Sequence, residues 1–281
     1  MSAHFEGQSI ALLTQHGKEA AIAPVLEPVL GCRVLRVDGF DTDTLGTFTR
    51  ERPRPGSQLD AARRKARIGI ERSGLPIGLA SEGSFGPDPF SGLFTWNLEL
   101  LLLIDDRLGI EVVGLAQGHA TDGHRLTDDW DEICEFAQRA GFPAQQLVLR
   151  PGDADDPRIH KGIADWHALR SSFDACQALA SSRKVFVETD LRAFANPSRM
   201  SRIREAAQDL LARLRSICPA CGVPGFWPTE RQPGLACSAC GLPTRVYRAE
   251  IWNCCGCGHR EVVGRKDLQQ ASPADCAYCN P

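Results

Sequence analysis

The chain has 281 residues, 43% of them hydrophobic, and a formal charge of −3, enough apolar material for one large core or two ordinary ones with a small appendage. Its longest aliphatic run, Leu100 to Ile104, falls far short of the roughly 20 residues that cross a bilayer, and the opening MSAHFEGQS lacks a basic region followed by an apolar one. Neither a membrane span nor an export signal is expected, and a cytoplasmic protein is.

Residues 9 to 14 read as a buried strand and Gly17 to Leu30 as a helix, with Pro24 and Pro28 arguing for interruption. A polar stretch containing Arg52-Pro53-Arg54-Pro55-Gly56 follows. Gln58 to Ser73, rich in Ala, Arg and Lys, predicts a helix ended at Gly74 and Pro76. Ile77 to Ala80 predicts a short strand, Ser81 to Pro89 a Gly/Pro loop, Leu98 to Ile104 an apolar helix or strand, and Glu111 to Ala116 a strand. Beyond these the pattern alternates: helix Asp128 to Ala140 capped by Thr127 and Gly141, strand Gln146 to Leu149, helix Ile163 to Ala180, strand Lys184 to Thr189. The last helix starts with Asn196 as cap and Pro197 at its first position, burying Ile203, Ala207, Leu210, Leu211, Leu214 and Ile217 at helical spacing. Alternating strands and helices imply an α/β fold, a mixed sheet with flanking helices and some parallel pairing, over residues 1–217.

Residues 218–281 form a different kind of unit. Eight of the 12 cysteines of the chain stand there in four pairs, Cys218/Cys221, Cys237/Cys240, Cys254/Cys257 and Cys276/Cys279. Two residues between cysteines let both sulfurs face one tetrahedral ion at roughly 2.3 Å, and Gly222, Gly241 and Gly258 relieve the tight backbone after three of the pairs. The eight cysteines are therefore expected to hold two structural Zn²⁺ ions in a double zinc-ribbon module, in a reducing compartment rather than as disulfides. Four pairs can combine into two sites in three ways. The middle two look most like one ribbon, with the outer two sharing the second ion and a short hairpin such as Thr244 to Trp252 between them. Structural zinc contributes on the order of 10 kcal/mol to folding, which a segment so poor in aliphatic residues needs. His259 is read as a surface histidine, Cys255 as a spectator, and Cys32, Cys134 and Cys176 as small core residues. The segment has a formal charge near +1, which eight thiolates on two Zn²⁺ would bring to about −3, a weak footprint for nucleic acid.

Three stretches of the N-terminal part together resemble the inosine triphosphate pyrophosphatase superfamily, which includes the Maf-like enzymes, over about residues 9–115. They are Leu12-Leu13-Thr14-Gln15-His16-Gly17-Lys18, Asp60-Ala61-Ala62-Arg63-Arg64-Lys65-Ala66, and Gly74-Leu75-Pro76 through Ala80-Ser81-Glu82-Gly83. The resemblance implies a nucleotide or phosphate-ester ligand, Mg²⁺ held by Glu82 and Asp60, phosphate contacts from Lys18 and Lys65, a substrate contact at Thr14, and pyrophosphohydrolase activity on non-canonical nucleoside triphosphates. The sequence departs from that pattern where the family's Asp-Asp pair has become Ala80-Ser81, unless Asp88 replaces the missing ligand. The whole chain also resembles an uncharacterised bacterial family joining such a domain to a C-terminal cysteine module.

A further segment, Glu188 to Met200, sets polar residues at the end of a strand beside a helix N-terminus, where α/β sheets place ligands. Asp190, Arg192, Asn196 and Arg199 are candidates for an anion site, although Asn196 reads first as a plain cap. No Gly-x-Gly-x-x-Gly, Walker loop, Gly-x-Ser-x-Gly or His-Glu-x-x-His motif occurs. The competing expectation to an enzyme is a non-catalytic adaptor that contacts protein or nucleic acid through the zinc module.

Overall fold

The computed structural model describes residues 4–40, 56–120 and 123–281; the stretch 52–55 noted above lies outside the described residues. The chain divides into two compact units, one comprising Ala3–Ile104 with Val113–Leu211 and the other Asp105–Val112 with Ala212–Pro281. Among the described residues no helix is long and apolar enough to cross a membrane.

The larger unit holds five helices' worth of α/β structure on two sheets. Its first sheet has the order β2-β1-β3-β4-β5, formed by β1 (Ser9–Leu13), β2 (Arg33–Val37), β3 (Ile77–Pro87), β4 (Thr95–Asp105) and β5 (Ile110–His119). β1 pairs in parallel with both β2 and β3, the parallel component expected from strand and helix alternation. Helix α1 (Glu19–Leu30) connects β1 to β2, and α2 (Gln58–Ser73) packs on β1 and β3. The alternation of side chains along β3 decides what each face carries. A Cβ at Gly78 would lie 2.5 Å from the Ala66 carbonyl of α2, so residues 78, 80 and 82 face that helix. Residues 79, 81 and 83 face the opposite side.

The second sheet, β6-β9-β7-β8, comprises β6 (His124–Thr127), β7 (Leu147–Pro151), β8 (His160–Ile163) and β9 (Val185–Thr189), and its described ladders are antiparallel. Helices α3 (Trp130–Ala140) and α4 (Trp166–Leu179) cover one face, where Ile133, Phe136, Leu169 and Phe173 pack on Leu147, Leu149, Val185 and Val187. The final helix, α5 (Pro197–Arg215), follows β9.

Several expectations need correction. α1 runs through Pro24 and Pro28 without interruption, because both prolines lie on its exposed face, where the carbonyls they leave unbonded meet water. The Gly/Pro loop at 81–89 is instead the second half of β3: Ser81 and Glu82 are buried ladder residues, and the turn begins only at Asp88. α3 is capped by Asp129, not Thr127, whose hydroxyl accepts the Asp129 N–H at 3.1 Å. α4 starts at Trp166 behind the Asp165 cap, and Ile163 belongs to β8. Of the apolar set assigned to α5, Ile203, Ala207, Leu210 and Leu214 are fully buried, whereas Leu211 is half-buried and Ile217 lies beyond the helix and is exposed.

In the smaller unit, β10 (Phe226–Pro233), β11 (Tyr247–Cys254) and β12 (Arg260–Gly264) form an antiparallel sheet with β11 in the middle. The expected hairpin at Thr244 to Trp252 is instead one strand of this sheet, since residues from 247 onward bond to β10 and β12 on either side. Its apolar core is small, with Phe226 packed on Cys218, Cys254, Val223 and Trp252.

Candidate functional site

The cysteines converge into two tetrads. Cys218, Cys221, Cys254 and Cys257 form one, and Cys237, Cys240, Cys276 and Cys279 the other, with all sulfurs of a tetrad within 4.8 Å of one another. The closest sulfur pairs are 3.8 Å (Cys218–Cys257) and 3.6 Å (Cys221–Cys254) in the first, and 3.9 Å (Cys237–Cys279) and 3.7 Å (Cys240–Cys276) in the second. A tetrahedral Zn²⁺ with bonds of roughly 2.3 Å requires sulfurs about 3.8 Å apart, so both tetrads fit the ion. The four turns share one construction: the residue after each second cysteine, Gly222, Gly241, Gly258 or Asn280, donates its N–H to the carbonyl of the first cysteine at 2.9–3.1 Å. The three glycines take φ of +72° to +75°, which a side chain would resist.

The pairing corrects the ribbon expectation. The middle pairs do not share an ion; the first pair joins the third and the second joins the fourth. The reason is the sheet. Cys254 ends β11 opposite Phe226, near the Cys218 turn, while Cys237 and Cys240 follow the far end of β10, where Pro233 pairs with Tyr247. The two ends of a strand pair eight residues long stand seven steps, roughly 23 Å, apart, too far for Cys240 and Cys254 to reach one ion.

Backbone N–H groups favour thiolate at particular sulfurs. Cys237 is lowered to about 7 by donors from Cys240 and Ala239. At Cys254 burial pushes upward, but N–H donors from Cys257 and Gly256 outweigh it, and the value again falls to about 7. The neighbouring sulfur of Cys240, with burial, pushes Cys279 up to about 12, so the four sulfurs need a cation before all can be thiolates. His259 bonds to Glu261 at 2.9 Å and is not a ligand of either tetrad. Cys32 and Cys176 are buried, Cys134 is half-buried, and the Cys255 thiol, raised by burial to about 11, faces the Pro224 carbonyl at 3.4 Å.

In the larger unit a second group of residues converges where β1 and β9 hand over to α1 and α5. Lys18 at the start of α1 is 6% exposed and donates from Nζ to the Ser81 carbonyl of β3 at 2.6 Å. Lys65 of α2 is ion-paired with Glu82 of β3. Arg199 of α5 pairs through Nε with Glu99 of β4 at 2.6 Å and donates to the Leu191 carbonyl at 2.6 Å. Arg192 pairs with Asp190 at 2.6 Å and lies over the Phe194 ring at 4.7 Å, and His16 packs on the same ring at 5.6 Å.

Electrostatics confirm that these groups share one neighbourhood. Burial, then the positive field of Lys18, Arg199, Arg192 and Lys65, pushes His16 down to about 4, which leaves it neutral at pH 7. Burial above all, with Arg199 and Lys65 opposing Glu82 and Glu99, lowers Lys18 to about 7. Desolvation leads in both cases, and like charge adds to it.

Lys18, Lys65, Glu82, Arg192 and Arg199 are thus brought together, and three of the other candidates serve local structure. Asp60 stands at the exposed start of α2, where its carboxylate accepts from the Ser57 N–H and hydroxyl in a capping box. Asn196 caps α5, its Oδ1 accepting from the Arg199 N–H at 2.9 Å while Nδ2 donates to the Asp190 carbonyl at 3.5 Å. The Thr14 hydroxyl accepts from the His16 N–H at 3.3 Å and orders the turn before Lys18. Asp88 binds the amides of Phe90, Ser91 and Phe94 inside its own turn, and does not replace a missing metal ligand. With Glu82 held by Lys65, the carboxylates do not assemble a Mg²⁺ site: among the described residues, the two cysteine tetrads are the sets of three or more metal-ligating side chains that come together. Glu99 and His16 are the members of the cluster that sequence reasoning passed over. The signal for Glu99 was present, a carboxylate inside the apolar strand Thr95 to Asp105.

The fold and these sites define a two-unit α/β protein with a paired four-cysteine centre. The chain belongs to the family described as a domain of unknown function, DUF6671, whose model matches residues 65–281. No match is found among curated proteins.

Proposed function

We propose that this is a zinc-organised protein whose α/β unit binds a small anionic ligand, of the phosphate-ester or carboxylate class, at the turns that carry Lys18, Arg192 and Arg199. The observation that carries this reading is Lys18. A buried ammonium normally finds a carboxylate of its own, because desolvation costs several kcal/mol; Lys18 has a carbonyl as its acceptor and two cations, Arg199 and Lys65, in its field, where Glu82 and Glu99 are paired with those same cations. The location agrees, since it lies at the C-terminal end of a parallel strand next to a helix start. The Mg²⁺-dependent hydrolysis implied by the pyrophosphatase resemblance draws no support from the carboxylates, so the reading is of binding.

Calorimetry on the zinc-loaded full chain tests it, with inorganic phosphate, a nucleoside monophosphate and acetate as probes. Saturable binding that is lost in Lys18→Met is the expected result; heats no larger than dilution for every probe would refute it.

A second reading, an adaptor that docks a protein through the zinc module, draws on a cleft of about 500 Å³ lined by Trp227, Thr229, Glu230, Arg231, Glu250 and Trp252. Two indoles beside charges of both signs suit an extended peptide. Trp227→Ala should abolish selection of peptides from a display library while leaving anion binding intact; a selection that survives the substitution would remove this cleft as the docking surface.

A further inference from the structure

We infer that the Lys18 site takes a singly charged oxyanion, a carboxylate or a phosphodiester, held by the Lys18 ammonium and the Ser81 hydroxyl, and that it rejects multiply charged phosphate chains. The inference rests on the anion-binding reading and adds its charge and its donors.

The charge follows from pairing. Three of the four cations in the cluster each have a carboxylate of their own, Lys65 with Glu82, Arg199 with Glu99 and Arg192 with Asp190. Those carboxylates are deeply buried, at 4% side-chain exposure for Glu82 and 0% for Glu99 and Asp190, so the pairs are fixtures of the fold rather than charges on loan to a ligand. The surplus is a single positive charge, on Lys18. A triphosphate would bring three or four negative charges to that one ammonium, and each buried charge without a partner costs several kcal/mol.

The donors follow from geometry. An ammonium has three N–H groups, and the Ser81 carbonyl uses one. Ser81 itself is 4% exposed, and its hydroxyl has no hydrogen-bond partner, an arrangement that leaves a buried donor unsatisfied. Strand alternation puts that hydroxyl on the face of β3 that carries Gly83, where a Cβ would lie 2.5 Å from Glu99 Oε1, so it looks toward the Arg199–Glu99 side of the cluster and not toward α2. Two N–H groups and one O–H match a group with two or three exposed acceptor oxygens and one charge. Neutral His16, packed on Phe194, adds no charge to the cluster.

The test is an NMR titration of the zinc-loaded full chain at pH 7 with acetate, dimethyl phosphate, inorganic phosphate, pyrophosphate and a nucleoside triphosphate. Acetate or dimethyl phosphate should bind at least tenfold more tightly than pyrophosphate or the triphosphate, and the better of the two names the source of the oxyanion. Ser81→Ala should weaken that binding at least fivefold with no loss of melting temperature, since it deletes a hydroxyl that bonds to nothing in the free protein. Polyphosphates binding as tightly as the monoanions, or Ser81→Ala without effect, would overturn this inference while leaving anion binding standing. Silence from every anion would remove both.

Discussion

Arg199 at the start of α5 and Glu99 in the middle of β4 are a hundred positions apart, yet they meet at 2.6 Å with 1% and 0% of their side chains exposed. Asn97 donates to the same carboxylate at 3.1 Å and the Leu191 carbonyl accepts from the guanidinium, so the pair ties β4, α5 and the turn after β9 together. Removing one partner leaves a buried charge uncompensated. Glu99→Leu and Arg199→Met should each destabilise the protein by roughly 3–5 kcal/mol, and the double variant Glu99→Leu/Arg199→Met by less than their sum. Chemical denaturation measures this, and additive losses would show that the two side chains act independently.

Gly83 makes room for that pair. A Cβ there would collide with the Arg199 guanidinium and lie 2.5 Å from Glu99 Oε1. Gly83→Ala should cost about 1–3 kcal/mol of overpacking, whereas Gly86→Ala, three residues along the same strand with open space around it, should cost under about 1 kcal/mol. Equal effects from the two alanines would contradict the packing.

Lys18 gives stability a pH dependence with a definite sign. Its folded value, about 7, lies below the ordinary 10.5, so between those limits the unfolded chain holds more protons than the folded one. Stability contributed by this group therefore rises as pH rises from 7 toward 10, by a few kcal/mol in total. Lys18→Met should raise the melting temperature at pH 7 and flatten the slope. A variant that melts lower at pH 7, with an unchanged slope, would place the titration elsewhere.

The interleaved cysteine pairing is open to counting. Native mass spectrometry should find two Zn²⁺ per chain, one in Cys221→Ser/Cys257→Ser, whose changes fall in one tetrad, and fewer than one in Cys221→Ser/Cys240→Ser, whose changes fall in both. Fewer than one ion in both double variants would restore the nested ribbon, and the opposite order of the two would pair neighbouring turns instead. Chelation should also unfold β10 to β12, since the apolar core there is small.

With Mg²⁺ and inosine, xanthosine or canonical triphosphates, the purified protein should release no pyrophosphate above background, because Asp60 and Asp88 are consumed by a helix cap and a turn and Glu82 by Lys65. Release that disappears in Glu82→Ala would instead establish the hydrolase.

The cysteine turns of the tail were readable in the chain because their construction is local: two cysteines three positions apart, followed by a residue that closes the turn, make the same half-site whatever surrounds them. The long helices were readable for the same reason, from a cap such as Asn196 and stops such as Gly74 and Gly141. What required the third dimension was every choice among partners. The spacing of four equivalent turns is silent on which two share an ion, and the length of β10 and β11 decides it by separating neighbours in sequence. Likewise Lys18, Lys65, Glu82 and Arg199 are ordinary charged residues until β1, β3, β4 and α5 bring them out of water together, where desolvation and pairing set their charges. Asp60 shows the converse: a residue in a suggestive motif, held at the surface by its own helix start.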